Sequence, residues 1–169
     1  VRWLIDSGSA LLADEMGGGK TIQALVALES LGAGAFPALV IGPNSVKFNW
    51  AEEAIKWCPS ATPFVVHGSA TERRKIIESA SAATNPLVVI NYEGTRTLSR
   101  LAGFGSQALR RCVACGGRNP SVKVTACEAH AKELNKINWR TVIVDEAHRI
   151  KDPNAKQTRA AWALGQQQS

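Results

Sequence analysis

Five short apolar runs, Ala10 to Ala13, Ala38 to Ile41, Phe64 to Val66, Leu87 to Ile90 and Val142 to Val144, recur along the chain with stretches of a different period between them. Residues 21–31, 46–57 and 71–81 place apolar side chains three and four apart, as in Ile22, Leu25, Val26 and Leu28. Such alternation predicts a parallel α/β sheet, because parallel neighbours need a long crossover and a helix is the usual one. Strands that are apolar almost throughout are buried on both faces, and ligands of such sheets sit at the carboxyl ends of the strands. The class expected is therefore α/β, with covering helices and the chemistry gathered at one edge.

The first run leads into Asp14-Glu15-Met16-Gly17-Gly18-Gly19-Lys20-Thr21 and then into an amphipathic stretch. Glycines let a loop take turns closed to other residues and aim its N–H groups inward at an anion. The helix that follows adds its own unpaired N–H groups and a positive dipole end. In this arrangement Lys20 would contact the β- and γ-phosphates of a nucleotide and the Thr21 hydroxyl would help hold Mg²⁺. Where the general phosphate-loop pattern begins with glycine, this chain has Asp14. A glycine-rich turn that merely caps a helix is the bland alternative.

The last apolar run, Thr141-Val142-Ile143-Val144, ends abruptly in Asp145-Glu146-Ala147-His148. A carboxylate at a strand end is a hard ligand for Mg²⁺, and a second beside it can orient and deprotonate an attacking water. Asp145 takes the first role and Glu146 the second, with His148 as a coupling residue. The alternative is an acidic helix start, which the helix dipole favours with no chemistry attached.

Together these residues resemble the Swi/Snf-type ATPases of helicase superfamily two. Asp14 to Thr21 is similar to the family's motif I, in which Asp in the first position is normal, although Gly18 stands where Leu is usual. Gly42-Pro43-Asn44-Ser45-Val46, with Asn49, Trp50 and Glu53 after it, resembles motif Ia. Val66-His67-Gly68-Ser69 with Arg73, and Val88 to Glu93, resemble the two strands that follow, and Asp145 to Asp152 resembles motif II with its basic extension. The resemblance implies a RecA-like (P-loop NTPase) first motor domain that binds ATP and Mg²⁺ and tracks along double-stranded DNA. It implies that Asp14, Gly17, Gly18, Gly19, Lys20, Thr21 and His148 form the nucleotide site, that Thr21 and Asp145 serve Mg²⁺, and that Lys20, Asp145 and Glu146 are catalytic. Pro43, Asn44, Ser45 and Lys47 fall where motif Ia meets the DNA backbone, a place suited to small polar groups at a helix amino end. Trp50 and Trp57, seven apart, read as core.

The same resemblance puts motif III, a second RecA-like domain of the same polypeptide and that domain's arginine finger beyond residue 169, and an adenine-reading glutamine before Val1. Such an arginine is worth ~10³ to 10⁵ in rate in related phosphoryl transfers. The chain is accordingly expected to be incomplete at both ends and, by itself, to bind nucleotide poorly and hydrolyse it negligibly.

The rhythm breaks after Leu101, where Gly103, Gly105, Gly116, Gly117 and Pro120 punctuate a stretch without a clean period. Residues 103–138 read as an insertion into a motor core of 1–102 and 139–169. Cys112 and Cys115, then Cys127 and His130, form two ligand pairs of the spacing that closes a tetrahedral, structural zinc site. Intracellular chemistry disfavours disulfides there, and a small segment without a core needs such a staple. Three unconnected cysteines and a solvated histidine are the alternative.

The chain carries 20 basic against 14 acidic residues, a net charge of +6. Much of the excess lies in Arg110, Arg111, Arg118, Lys123, Lys132 and Lys136, opposed only by Glu128 and Glu133. A basic balance favours an anionic partner, nucleic acid first. No run reaches the roughly 18 apolar residues of a membrane span, and no secretory leader is visible, so no membrane partner is expected and the location expected is intracellular: the cytoplasm of a prokaryote or phage-infected cell, or a nucleus. Two alternatives to a double-stranded-DNA translocase stay open at this stage. One is a non-catalytic nucleotide- and zinc-dependent nucleic-acid-binding module, the other a strand-separating restriction or repair helicase.

Overall fold

The structure is a computed structural model, and it describes residues 1–15, 17–101 and 131–165. Ten elements position the site: α1 (Arg2–Ser7), α2 (Lys20–Leu31), β1 (Ala38–Gly42), α3 (Lys47–Trp57), β2 (Thr62–Val65), α4 (Ala70–Ala82), β3 (Pro86–Asn91), α5 (Tyr92–Leu98), β4 (Thr141–Val144) and α6 (Lys156–Gly165). The four strands form one sheet in the order β2-β3-β1-β4, and every pairing is parallel. No helix among the described residues is long and apolar enough to cross a membrane.

Strand period divides the core between the two faces. Ala38 and Val40 of β1 and Leu87 and Val89 of β3 point to one side, where they pack with Leu25 and Leu28 of α2 and Trp50 and Ala54 of α3. Leu39, Ile41, Val88 and Ile90 point to the other side and meet Ile77 and Ala80 of α4, Leu98 of α5 and Ala161 and Leu164 of α6. Period-two alternation in a sheet whose central strands are apolar on both faces is what three layers require. The α/β class and the covered parallel sheet expected from the sequence are both present.

One expectation is corrected here. Ala10 to Ala13 is not a strand: residues 10–15 have no regular secondary structure, and Leu11 is 71% exposed. A strand exists only by its ladder, and among the described residues nothing pairs with the outer edge of β4, whose four residues stay half-buried. Within the stretch read as insertion, the described residues near its end pack against the core. Leu134 and Ile137 are buried with Trp139 on the α4–α6 face, and the Trp139 indole donates to the Leu134 carbonyl at 2.8 Å. Asn135 joins the two flanks of that stretch, its Oδ1 accepting from the Arg100 N–H at 2.8 Å and the Lys132 N–H at 3.1 Å. Apolar residues scattered over a one-turn element leave no period to read, which is why the sequence gives no sign of this packing.

Candidate nucleotide site

The glycine loop precedes α2, and connectivity fixes its place. The carboxyl end of α2 passes through the turn Gly32–Ala35 into the start of β1, and the helix packs along the sheet through Leu25 and Leu28. A 12-residue helix is about 18 Å long and a five-residue strand about 17 Å, so the helix runs back the length of the strand. Its amino end, with Lys20 and Thr21, returns to the carboxyl edge of the sheet.

The loop there is built on backbone freedom. Gly17 (φ 86°) and Gly19 (φ 68°) occupy left-handed conformations, and Gly19 is the residue from which α2 starts. A Cβ on Gly18 would stand 3.1 Å from the Glu15 carbonyl oxygen and 3.2 Å from Asp14 Cβ, so a side chain such as Leu needs the loop to open slightly. The Lys20 ammonium donates to the carbonyls of Asp14 at 2.7 Å and Glu15 at 2.8 Å. Gln23, one turn on, donates both to Asp14 Oδ2 and to the Gly18 carbonyl, each at 3.0 Å. Asp14 thus closes the loop against α2, a task that glycine in its place could not perform.

The acids are held differently. β4 pairs with β1 through Ile41 and Val144, and the Asp145 N–H continues the ladder to the Ile41 carbonyl at 2.8 Å. Facing it, Gly42 keeps the contact close, since a Cβ there would lie 3.3 Å from Asp145 Cβ and would push it by a few tenths of an ångström. The Asp145 carboxylate accepts at Oδ2 from the indole N–H of Trp50 at 2.9 Å. Tyr92, buried at the end of β3, donates its hydroxyl to the Asp145 carbonyl and lies 3.3 Å from the Glu146 carbonyl. Glu146 is left-handed (φ 55°, ψ 51°), a conformation that costs a non-glycine residue about 1–2 kcal/mol unless its surroundings impose it. The tyrosine hydroxyl on both carbonyls of the turn is that imposition.

His148 Nδ1 lies 3.1 Å from Glu146 Oε2, with both side chains open to solvent. The Arg149 guanidinium sits 5.3 Å from the centre of the Tyr92 ring, a cation–π contact that secures the phenol from its other side. Burial and the nearby Asp145 carboxylate push the Tyr92 hydroxyl up to about 12, so it remains a donor across the whole neutral range.

The two groups of residues form separate networks: Lys20 is bonded within its loop, Asp145 to Trp50, Tyr92 and Ile41. Their donor sets suit a magnesium nucleotide, with an ammonium and loop N–H groups for phosphate and a hydroxyl and a carboxylate as hard oxygens. No group of three or more His, Cys, Asp or Glu side chains stands together as a metal cluster among the described residues. Cys112, Cys115, Cys127 and His130 lie outside the described residues.

The motif Ia segment is only partly where sequence places it. Asn44 and Ser45 are exposed at the carboxyl edge beside half-buried Pro43, and the Asn91 amide donates to Asn44 Oδ1 at 3.3 Å. Lys47 differs: it is 7% exposed, and its ammonium turns inward to the Val66 carbonyl at 3.3 Å. Burial, with Arg73 nearby, lowers its pKa. It ties α3 to the end of β2, and it does not face outward as a phosphate contact must. Of the two tryptophans read as core, Trp50 is buried, while Trp57 is exposed and donates to Glu53 Oε2 at 2.8 Å. Trp50 and Tyr92 are the site residues that sequence reasoning missed. Both fall in stretches that carry the family resemblance, and the further signal was an aromatic with a polar tip, since such tips need partners when buried.

A model of the SNF2-related domain matches residues 1–169. The chain is 35% identical over 150 residues to the protein CHROMATIN REMODELING 19 of Arabidopsis thaliana, a match covering 86% of this chain and 17% of that protein. It is 30% identical over 160 residues to the ISWI chromatin-remodeling complex ATPase ISW1 of Saccharomyces cerevisiae, covering 90% and 11% of the two chains. To the DNA excision repair protein CSB of Oryza sativa subsp. japonica it is 29% identical over 165 residues, covering 94% and 14%. The chain thus spans less than a fifth of the length of these relatives. With a match over its whole length and a RecA-like parallel sheet beneath the motifs, the chain belongs to the SNF2-related domain family.

Proposed function

We propose that this chain is the ATP-binding part of a DNA-dependent ATPase that moves along double-stranded DNA. One feature of the fold supports the reading: connectivity and helix length direct a left-handed glycine loop ending in Lys20 toward the carboxyl edge of the sheet, where β4 ends in Asp145 and Glu146. In this reading Gly17, Gly18, Gly19 and Lys20 hold the phosphates of ATP, and Thr21 and Asp145 hold Mg²⁺. The ion, when bound, neutralises charge on the β- and γ-phosphates. Glu146 orients the attacking water and accepts its proton, and His148 steadies the Glu146 carboxylate. Asn44 and Ser45, exposed in the turn that precedes α3, meet the DNA backbone.

The remaining parts of the machine are supplied elsewhere in the polypeptide. A second RecA-like domain brings an arginine to the transferring phosphate, and without it this chain binds ATP weakly and turns it over negligibly. The names of the relatives, which speak of chromatin remodeling and DNA repair, favour duplex DNA as the partner and a DNA-containing compartment as the location. Cys112, Cys115, Cys127 and His130 bind a structural zinc ion on the strength of their spacing, and metal analysis of the purified chain tests that part directly.

The test of the whole is Lys20→Ala. In the full-length protein, duplex DNA should raise ATP turnover, and the variant should lose that turnover. Retained DNA-stimulated hydrolysis in Lys20→Ala would overturn the phosphate-loop assignment.

A further inference from the structure

We propose that Trp50 is a positioning residue for the magnesium carboxylate, acting through its indole N–H on Asp145. The inference rests on the nucleotide reading above and deepens it. Trp50 and Asp145 are 95 residues apart in sequence, and the bond between them, 2.9 Å from Nε1 to Oδ2, joins helix α3 to the end of β4. An indole N–H can only donate, so its bond selects a carboxylate oxygen as acceptor.

The rest of Asp145 is fixed as well. Its N–H is spent on Ile41, its carbonyl is taken by Tyr92, and the absent side chain of Gly42 makes room for its Cβ. With the backbone pinned, the remaining freedom is rotation of the carboxylate, and Trp50 is the group that stops it. Among the described residues Oδ1 accepts no hydrogen bond, so one oxygen is held by the protein and the other is left for a ligand. Trp50 itself is 3% exposed and packed among Val40, Ala54 and Val89, so the donor has no rotational freedom to lose. Groups that orient a metal ligand in this way change metal affinity without touching the metal, often by 10-fold or more.

The alternative is that a buried tryptophan needs an acceptor and Asp145 happens to supply it. Magnesium dependence separates the two. Calorimetric titration of the full-length protein with ATP, with Mg²⁺ and then with EDTA, is compared between wild type and Trp50→Phe. Positioning predicts that affinity with Mg²⁺ falls about 10-fold while affinity in EDTA is unchanged. An equal fall in both, or no fall in either, overturns the proposal.

A second arm reads the bond itself. The Trp50 indole N–H resonance should be slow to exchange in the wild type and should shift and exchange faster in Asp145→Ala. An indole signal indifferent to that substitution overturns the proposal whether or not Trp50→Phe folds. If the wild-type full-length protein binds ATP in neither condition, it is the nucleotide reading that fails, and the indole arm still decides whether Trp50 holds Asp145.

Discussion

The phosphate loop and the acid edge serve the same proposed reaction but are built on opposite plans. The loop's side-chain bonds stay within nine residues of sequence, it is exposed, and its shape comes from two left-handed glycines. The acid edge takes its bonds from residues 53 and 95 positions away, and its shape comes from buried aromatics. A loop defined by backbone freedom is set locally and can move. A carboxylate defined by orientation needs the whole fold assembled first. Damage to the loop should therefore cost binding and little stability, and damage behind the acids should cost both.

The largest expected difference comes from truncating one apolar residue on each side. Trp50→Ala removes a buried indole and should destabilise the chain by roughly 3–5 kcal/mol in urea unfolding. Leu11→Ala, close before the loop and largely exposed, should change it by no more than about 0.5 kcal/mol. Similar losses in the two variants would mean that residues 8–15 are packed, and the contrast between the regions would fail.

Tyr92→Phe should come next, at about 1–2 kcal/mol, because the hydroxyl serves two carbonyls of the turn that carries Glu146. It also has a pH signature. The folded-state pKa is raised to about 12 from 10.0, so the unfolded chain releases this proton first. The stabilisation is whole below pH 10 and is lost as pH rises toward 12. Wild type minus Tyr92→Phe, followed by unfolding across that window, should shrink with rising pH. A constant difference would show that the hydroxyl does not hold the turn.

These two aromatics also mark how far the sequence could be read. The sheet and its helices were legible because a buried strand is apolar throughout and a covering helix repeats at three and four. The residues proposed for the nucleotide stood out in the sequence because glycine, lysine and neighbouring acids at fixed spacing have few other uses. Trp50 and Tyr92 were not, since their function lies in a hydrogen bond across the fold and a hydrophobic pattern records only that they are buried. Ala10 to Ala13 failed for the complementary reason: the pattern of a strand was present, but a strand also needs a neighbour, and the pattern does not carry one. Leu134 and Ile137 were hidden by an element too short to have a period.

Gly19→Ala isolates backbone freedom on the loop side. A Cβ there meets nothing within 4 Å, so the cost is the left-handed backbone alone, about 1 kcal/mol once the exposed loop relaxes. Relaxation displaces the N–H groups that begin α2, and ATP affinity should fall more than 10-fold by titration while the melting temperature moves by only a few degrees. A variant that melts early and still binds would place the loop with the acid edge in its plan.

The smallest effect is expected at Lys47, where sequence and structure assign different work. Its ammonium bonds a carbonyl at 3.3 Å inside the fold, and burial already depresses its pKa. Methionine keeps the length and removes both the bond and the desolvation of a charge, two changes of opposite sign that should leave stability within about 0.5 kcal/mol. If Lys47 instead touched a DNA phosphate, its removal would release one fewer counterion and flatten the salt dependence of DNA affinity by about one unit of slope. The inward geometry predicts an unchanged slope for Lys47→Met in the full-length protein. Asn44 and Ser45, exposed one turn earlier on the same edge, are neutral and would position the backbone without altering that slope, so a flattened slope could come only from a lysine that leaves its buried site.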